Sequence, residues 1–359
     1  MVSRRTFLTS CLAAGVCAKS APIVSPPKPK YSTLALDLVH RSTVIDMLGL
    51  FTLNYRQLGV WENDPGRFRP VDFQRLRDSG INIFHPAVGF VEGDIYKESL
   101  ADITGWNLFI AEYPDELMRI DTTADIERAK AKGKIGIVIG QQNSEHFRTV
   151  DDVDKFYAMG QRVSQLTYRD NRIGGGSTDP SNLGLTQYGG EIVQRMNELG
   201  MAIDVSHCSD RTAMDAIEAS SKPVLATHSN CRALVPGSAR CRTDETIKKL
   251  AGKGGVLGVT MVRIFVGSHG PVTIENVLDH IDHVAQIAGI EHVGIGTDVD
   301  LVGRDLPGAA KRSDLDGLVY ENKIYELTAG LIRRNYSQHN IELILGKNFE
   351  RVLGEIWKA

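Results

Sequence analysis

MAIDVSHCSD (201–210) and PVLATHSN (223–230) decide how this chain is read. Each is an apolar, β-rich run that stops on a histidine, His207 in the first and His228 in the second, and the residues between them are patterned as a helix. A strand, a helix and a second strand within thirty residues imply parallel pairing, because the helix carries the chain back to the starting edge. Buried strands are apolar, so a polar residue placed just where one stops is either a satisfied core group or part of a site.

Working outward, the same unit recurs along the chain from about residue 40. Eight β-rich runs can be marked: TVIDMLG (43–49), INIFHPAV (81–88), KIGIVIGQ (134–141), RVSQLTY (162–168), MAIDVSH (201–207), PVLATHS (223–229), GVLGVTM (255–261) and HVGIGTD (292–298). Helix-patterned stretches separate them, such as TQYGGEIVQRMNELG (186–200) and TIENVLDHIDHVAQIAG (273–289). Eight strand–helix units predict an α/β chain folded as a closed (β/α)8 TIM barrel, with a doubly wound open sheet as the alternative. No GxGxxG opens a helix after a strand, which leaves a dinucleotide-binding reading without support.

In a (β/α)8 barrel the chemistry gathers where the strands end, at the C-terminal rim. Read in order, those ends carry Asp46 with Leu48 and Leu50, then His85, Gln141 with Gln142, Tyr168, His207, His228, Met261 with Arg263, and Asp298. A single strand-end histidine is usually a core or capping residue. Two histidines and an aspartate on one rim are donors suited to zinc or a similar divalent ion that keeps an open position. His85 precedes Pro86 and is read as a substrate contact, whereas His280, His283 and His292 lie in or after a helical stretch of mixed polarity and are expected at the surface.

Composition limits the remaining classes. With 359 residues, 42% hydrophobic and 24% charged, the chain can bury a large core, and a net charge of -3 without any basic block argues against a nucleic-acid partner. The first residues, MVSRRTFLTSCLAAGVCAKSA, pair Arg4 with Arg5 ahead of a short apolar run. They read as a twin-arginine export signal over 1–21, followed by a Pro-rich linker over 22–30 and a single barrel domain over 31–359, with no membrane span in the mature form. Export by that route predicts a periplasmic protein that folds, and takes up any metal, before it crosses. Outside this leader the cysteines are Cys208, Cys231 and Cys241, an odd and irregular set that does not describe a disulfide scaffold.

The runs QRVSQLTYRDNRIGGG (161–176), GLTQYGGEIVQRMNELGMAIDVSHCSD (184–210) with PVLATHSNCRAL (223–234), and HVGIGTDVD (292–300) resemble the membrane dipeptidases, also called renal dipeptidases. The resemblance spans nearly the whole mature chain and implies a zinc-dependent barrel of the amidohydrolase type. In that family two zinc ions share a bridging glutamate. One is also held by histidines matching His207 and His228, the other by a His-x-Asp pair and an aspartate matching Asp298, which is the expected proton acceptor. An arginine that grips the substrate carboxylate matches Arg240 in GSARCRTDE (237–245).

The departures are as specific as the matches. Leucines stand at 48 and 50, where the family has its first-strand ligands, Gln142 stands in place of the bridging glutamate, and Tyr168 replaces a substrate-pocket histidine. What the resemblance then implies is a single-metal site of His207, His228, Asp298 and Gln142, holding zinc or, alternatively, manganese. Metal-activated water would cleave a dipeptide or similar small amide, with Asp298 moving the proton, Arg240 and His85 holding the substrate, and Tyr168 donating to the developing oxyanion. Homodimerisation is expected from the family. The competing reading is a catalytically altered or inactive barrel that binds a small molecule.

Overall fold

A computed structural model of the chain describes residues 31–51, 64–301 and 314–357. The signal and linker assigned to 1–30 lie outside the described residues.

Among the described residues ten short strands form the frame: β1 (Ile45–Asp46), β2 (Ile83–Phe84), β3 (Leu117–Arg119), β4 (Ile135–Ile137), β5 (Ile139–Gln141), β6 (Gln161–Gln165), β7 (Ala202–Asp204), β8 (Ala226–Ser229), β9 (Leu257–Val259) and β10 (Val293–Ile295). All pairings between them are parallel. One sheet runs β3-β4-β2-β1-β10-β9-β8 and the other β5-β6-β7. Because β4 and β5 are two halves of the third predicted run, and a bridge from Asp204 to Leu225 joins β7 to the entry of β8, the circle of eight is complete. The open-sheet alternative is thereby set aside. The strand not read from the sequence, β3, lies outside the ring on the free side of β4.

Packing follows the two-residue alternation of a strand. Ile45, Ile83, Val138, Val163, Ala202, Leu225 and Val256, from seven members of the ring, share one apolar cluster with Phe349, Val352 and Leu353 of the C-terminal helix Asn348–Ile356. A cluster that takes a residue from each of seven strands requires a sheet closed on itself. Their neighbours, such as Ile203, Leu257 and Ile295, belong instead to the cluster that holds the surrounding helices.

Local signals set the helix limits as expected. The Thr186 hydroxyl accepts from Gly189 N at 3.0 Å to open helix Gln187–Leu199, and Gly200 closes it in the left-handed region at φ 85°. The Ser209 hydroxyl likewise accepts from Thr212 N to open Asp210–Ala219, the helix that follows His207. No helix among the described residues is long and apolar enough to cross a membrane.

One surface expectation is corrected. His280 is fully buried: its Nδ1 accepts from Cys231 N at 3.1 Å, and Nε2–H donates to Val266 O at 3.1 Å. The helix Ile274–Ala288 turns this residue inward with Val277, Ile281 and Val284, so the mixed polarity of the stretch hid an inward-facing histidine. Burial lowers its pKa to about 4.

Candidate active site

The two histidines of the opening stretches meet. His207 Nε2 and His228 Nε2 are 3.1 Å apart, His228 within β8 and His207 three residues beyond the end of β7. Burial, reinforced by the nearby Arg240 cation, holds both imidazoles well below their ordinary pKa, so both are neutral near pH 7.

The proton on His228 is assigned by a buried relay. Asp204 Oδ1 accepts from Ser206 N, Ser206 Oγ and Thr227 N at 2.9, 2.6 and 2.9 Å, and Oδ2 accepts from Thr227 Oγ1 at 2.6 Å. Having donated its hydrogen to the carboxylate, the Thr227 hydroxyl can only accept from His228 Nδ1, 2.8 Å away. His228 therefore carries its proton on Nδ1 and turns a bare Nε2 lone pair toward His207. Asp204, Ser206 and Thr227 were not among the residues predicted from the sequence. Their signal was the Asp-x-Ser-His and Thr-His wording around the two ligand candidates.

A matching device stands at the first and last barrel strands. Asp46, fully buried, accepts from Thr297 N at 2.8 Å and Thr297 Oγ1 at 2.6 Å, and so fixes the residue before Asp298. The buried Lys323 ammonium lies 3.8 Å from Asp46 Oδ2 and donates to Val299 O at 2.9 Å. Asp298 itself adopts φ 55°, an uncommon conformation for a non-glycine residue, and its N–H donates to Leu48 O at 2.9 Å.

The remaining candidates are placed as follows. Arg240 is buried; Nη1 donates to Ser206 O at 2.5 Å and to Ser229 Oγ at 3.3 Å, and Nη2 donates to His228 O at 2.8 Å. It thus braces the chain at both histidines, and Asp298 is the first of the acidic groups that offset the lowering of its pKa by burial. Tyr168 stacks on His207, with centroids 4.2 Å apart and planes 19° apart. Gln142 donates through Nε2 to Ala87 O at 2.8 Å. His85 donates through Nδ1 to Met47 O at 2.6 Å, and its buried Nε2 has no hydrogen-bond partner among the described residues. Leu48 is completely buried and Leu50 nearly so. Cys208 and Cys231, neighbours of the two histidines, are buried free thiols whose pKa burial raises, that of Cys208 to about 11.

With its proton on Nδ1, His228 accepts at Nε2 from His207 Nε2–H at 3.1 Å, and two imidazole nitrogens turned to one point at that spacing also suit one divalent ion once the His207 proton moves to Nδ1. Of the predicted ligands the structure joins these two. Among the described residues no third His, Cys, Asp or Glu side chain completes a group with ion-binding spacing.

Comparison with known proteins gives a consistent picture. The family model described as membrane dipeptidase (Peptidase family M19) matches residues 35–359. The dipeptidase verJ of Clonostachys rogersoniana is 33% identical over 251 residues, which are 69% of this chain and 62% of that protein. The chain therefore spans about three fifths of that relative's length. Among solved structures, an amidohydrolase from Pseudomonas aeruginosa is 30% identical with a TM-score of 0.77, over 90% of this chain and 99% of its own. A metallo peptidase from Rhodobacter sphaeroides, liganded with a phosphinate mimic of the dipeptide L-Ala-D-Ala, has a TM-score of 0.73 at 20% identity, over 88% of this chain and 99% of its own, and is alike in fold.

Proposed function

Because this chain belongs to the membrane dipeptidase family, Peptidase family M19, we propose that it is a metal-dependent hydrolase that cleaves a dipeptide or a similar small amide bearing a carboxylate. The observation that carries the reading is the His207–His228 pair, 3.1 Å apart, with the His228 proton held on Nδ1 by Thr227. The phosphinate bound by the Rhodobacter sphaeroides neighbour mimics a dipeptide and supports that substrate class by analogy.

His207 and His228 would hold the ion, with Asp298 and the Gln142 carbonyl as further ligands. A divalent ion at such a place polarises a carbonyl and makes water a nucleophile near neutral pH. We assign one zinc ion, with manganese as the alternative, since Leu48 and Leu50 supply no donor atom and Gln142 is uncharged.

This chain's own groups supply the rest. As water adds to the amide carbon, Asp298 accepts its proton and returns it to the amine nitrogen when the C–N bond breaks. The Tyr168 hydroxyl donates to the oxygen that gains charge, and Arg240 with His85 orients the substrate, Arg240 through its carboxylate. The paired arginines of the leader support export by the twin-arginine route to the periplasm, and the family resemblance supports a homodimer as the working form.

The test is hydrolysis of a dipeptide panel, with D-residues included at the C-terminal side, by wild type and a His207→Ala, His228→Ala double variant, with elemental analysis of both. Turnover and about one bound ion in the wild type, with neither in the variant, is the expected result. Absence of metal and of turnover in the wild type would overturn the hydrolase reading and leave a barrel that binds a small molecule.

A further inference from the structure

His228 is held from behind by Thr227, but His207 lies beyond the end of its strand, and its ring is set by what it packs against. The Tyr168 ring covers one face of the imidazole at 4.2 Å. Tyr168 also rests against bare backbone: a Cβ added to Gly89 would stand 2.5 Å from Tyr168 Cδ2 and 2.8 Å from Cε2, closer than atoms pack.

The segment containing Gly89 is itself fastened. Gln142 N donates to Val88 O at 2.8 Å, Gln142 Nε2 donates to Ala87 O at 2.8 Å, and Asn143 Nδ2 donates to Phe90 O at 2.7 Å. A glutamate at 142 would have no side-chain N–H to offer Ala87 O. Gln142 and Tyr168, two of the residues by which this chain departs from its family resemblance, thus belong to one packed series that ends on His207.

From this series we propose that the aromatic ring of Tyr168 is a positioning residue for His207, with Gly89 as its clearance and the Gln142 amide as its fastening. The inference rests on the metal-binding reading of the histidine pair. An imidazole unsupported on that face can rotate its Nε2 away from His228, whereas a stacked aromatic ring confines it. The role belongs to the ring and is separate from that of the Tyr168 hydroxyl.

The experiment titrates metal-free protein with cobalt(II), followed by visible absorption, in wild type, Tyr168→Phe, Tyr168→Ala and Gly89→Ala. Thermal melts check that each variant is folded. Tyr168→Phe keeps the ring and should bind cobalt within about twofold of wild type, while Tyr168→Ala and Gly89→Ala should each bind about tenfold or more weakly. NMR of the metal-free proteins supplies a second readout, since the stacked ring shifts the His207 ring protons upfield in wild type and Tyr168→Phe alone. Equal affinity in Tyr168→Ala and wild type, equal weakness in Tyr168→Phe and Tyr168→Ala, or identical His207 shifts in all four proteins would overturn it. Were wild type to bind no cobalt, the hydrolase reading would fall, and the shifts would still decide whether the ring holds His207.

Discussion

Asp204 sets the protonation of His228 without touching it: Thr227 donates to Asp204 Oδ2 at 2.6 Å and accepts from His228 Nδ1 at 2.8 Å. The same carboxylate takes Thr227 N, Ser206 N and Ser206 Oγ, so a single buried group ties the turn leading to His207 to the strand carrying His228. Asp46 and Thr297 repeat the arrangement one residue ahead of Asp298. Carboxylates of this kind orient a site through its supports, and the cost of losing them appears first in metal affinity.

Thr227→Val keeps the shape of the side chain and removes the relay. Zinc affinity, measured by chelator competition, should fall roughly 10- to 100-fold, because the His228 tautomer is no longer specified. Stability should drop by about 1–3 kcal/mol in denaturant unfolding, as Asp204 Oδ2 loses its donor. Unchanged affinity would show that the relay does not act on the metal.

Lys323 and Asp46 are both fully buried, their charged atoms 3.8 Å apart. Removing one partner of such a pair strands the other, so Lys323→Met should cost roughly 3–5 kcal/mol. Adding Asp46→Asn should recover part of that loss, because the carboxylate nearest the lysine is then uncharged too, while Asp300 and Asp298, which also face Lys323, keep the recovery partial. A double variant no more stable than Lys323→Met would mean that the lysine acts through Val299 O alone.

Stability should decline on the acid side of about pH 6.5. His146 and His280 have native pKa values lowered to about 4 by burial, and His85, His207 and His228 are lowered as well. The unfolded chain then takes up protons that the native chain refuses. The stability from these groups is complete above the unfolded value and is lost as pH falls toward the native one. His146 and His280 should each account for roughly 2–4 kcal/mol between pH 6.5 and 4, read from urea unfolding of metal-free protein at several pH values. A flat profile over that interval would show that these imidazoles ionise in the folded state.

Leu48→His, Leu50→Asp and Gln142→Glu together restore the donor types that the family resemblance places at those positions. Elemental analysis should show bound zinc rising from about one to about two ions per chain. A content that stays at one would mean that residues of this chain other than those three keep the second ion out.

The eight apolar runs and the helix-patterned stretches between them were legible because strand alternation and helix periodicity are local properties of the chain. So was the placing of His207, His228 and Asp298 at strand ends. β3 was not, since Leu117–Arg119 is three residues long and buries only Leu117 fully, which leaves no apolar run to mark it. His280 was misplaced for a related reason: the polarity of a helix is visible in the sequence, but which neighbour it is turned against is not.

The chain's order of residues therefore sufficed for a parallel barrel and for the residue types on its rim, because both depend on spacing along one dimension. Which nitrogen of His228 carries the proton, how Tyr168 lies on His207, and that Gln142 is fastened to Ala87 depend on groups 23 to 55 residues apart. Only the side-by-side pairing of neighbouring parallel strands brings those groups together, and hydrogen bonds and ring contacts act over a few ångströms whatever the separation in sequence.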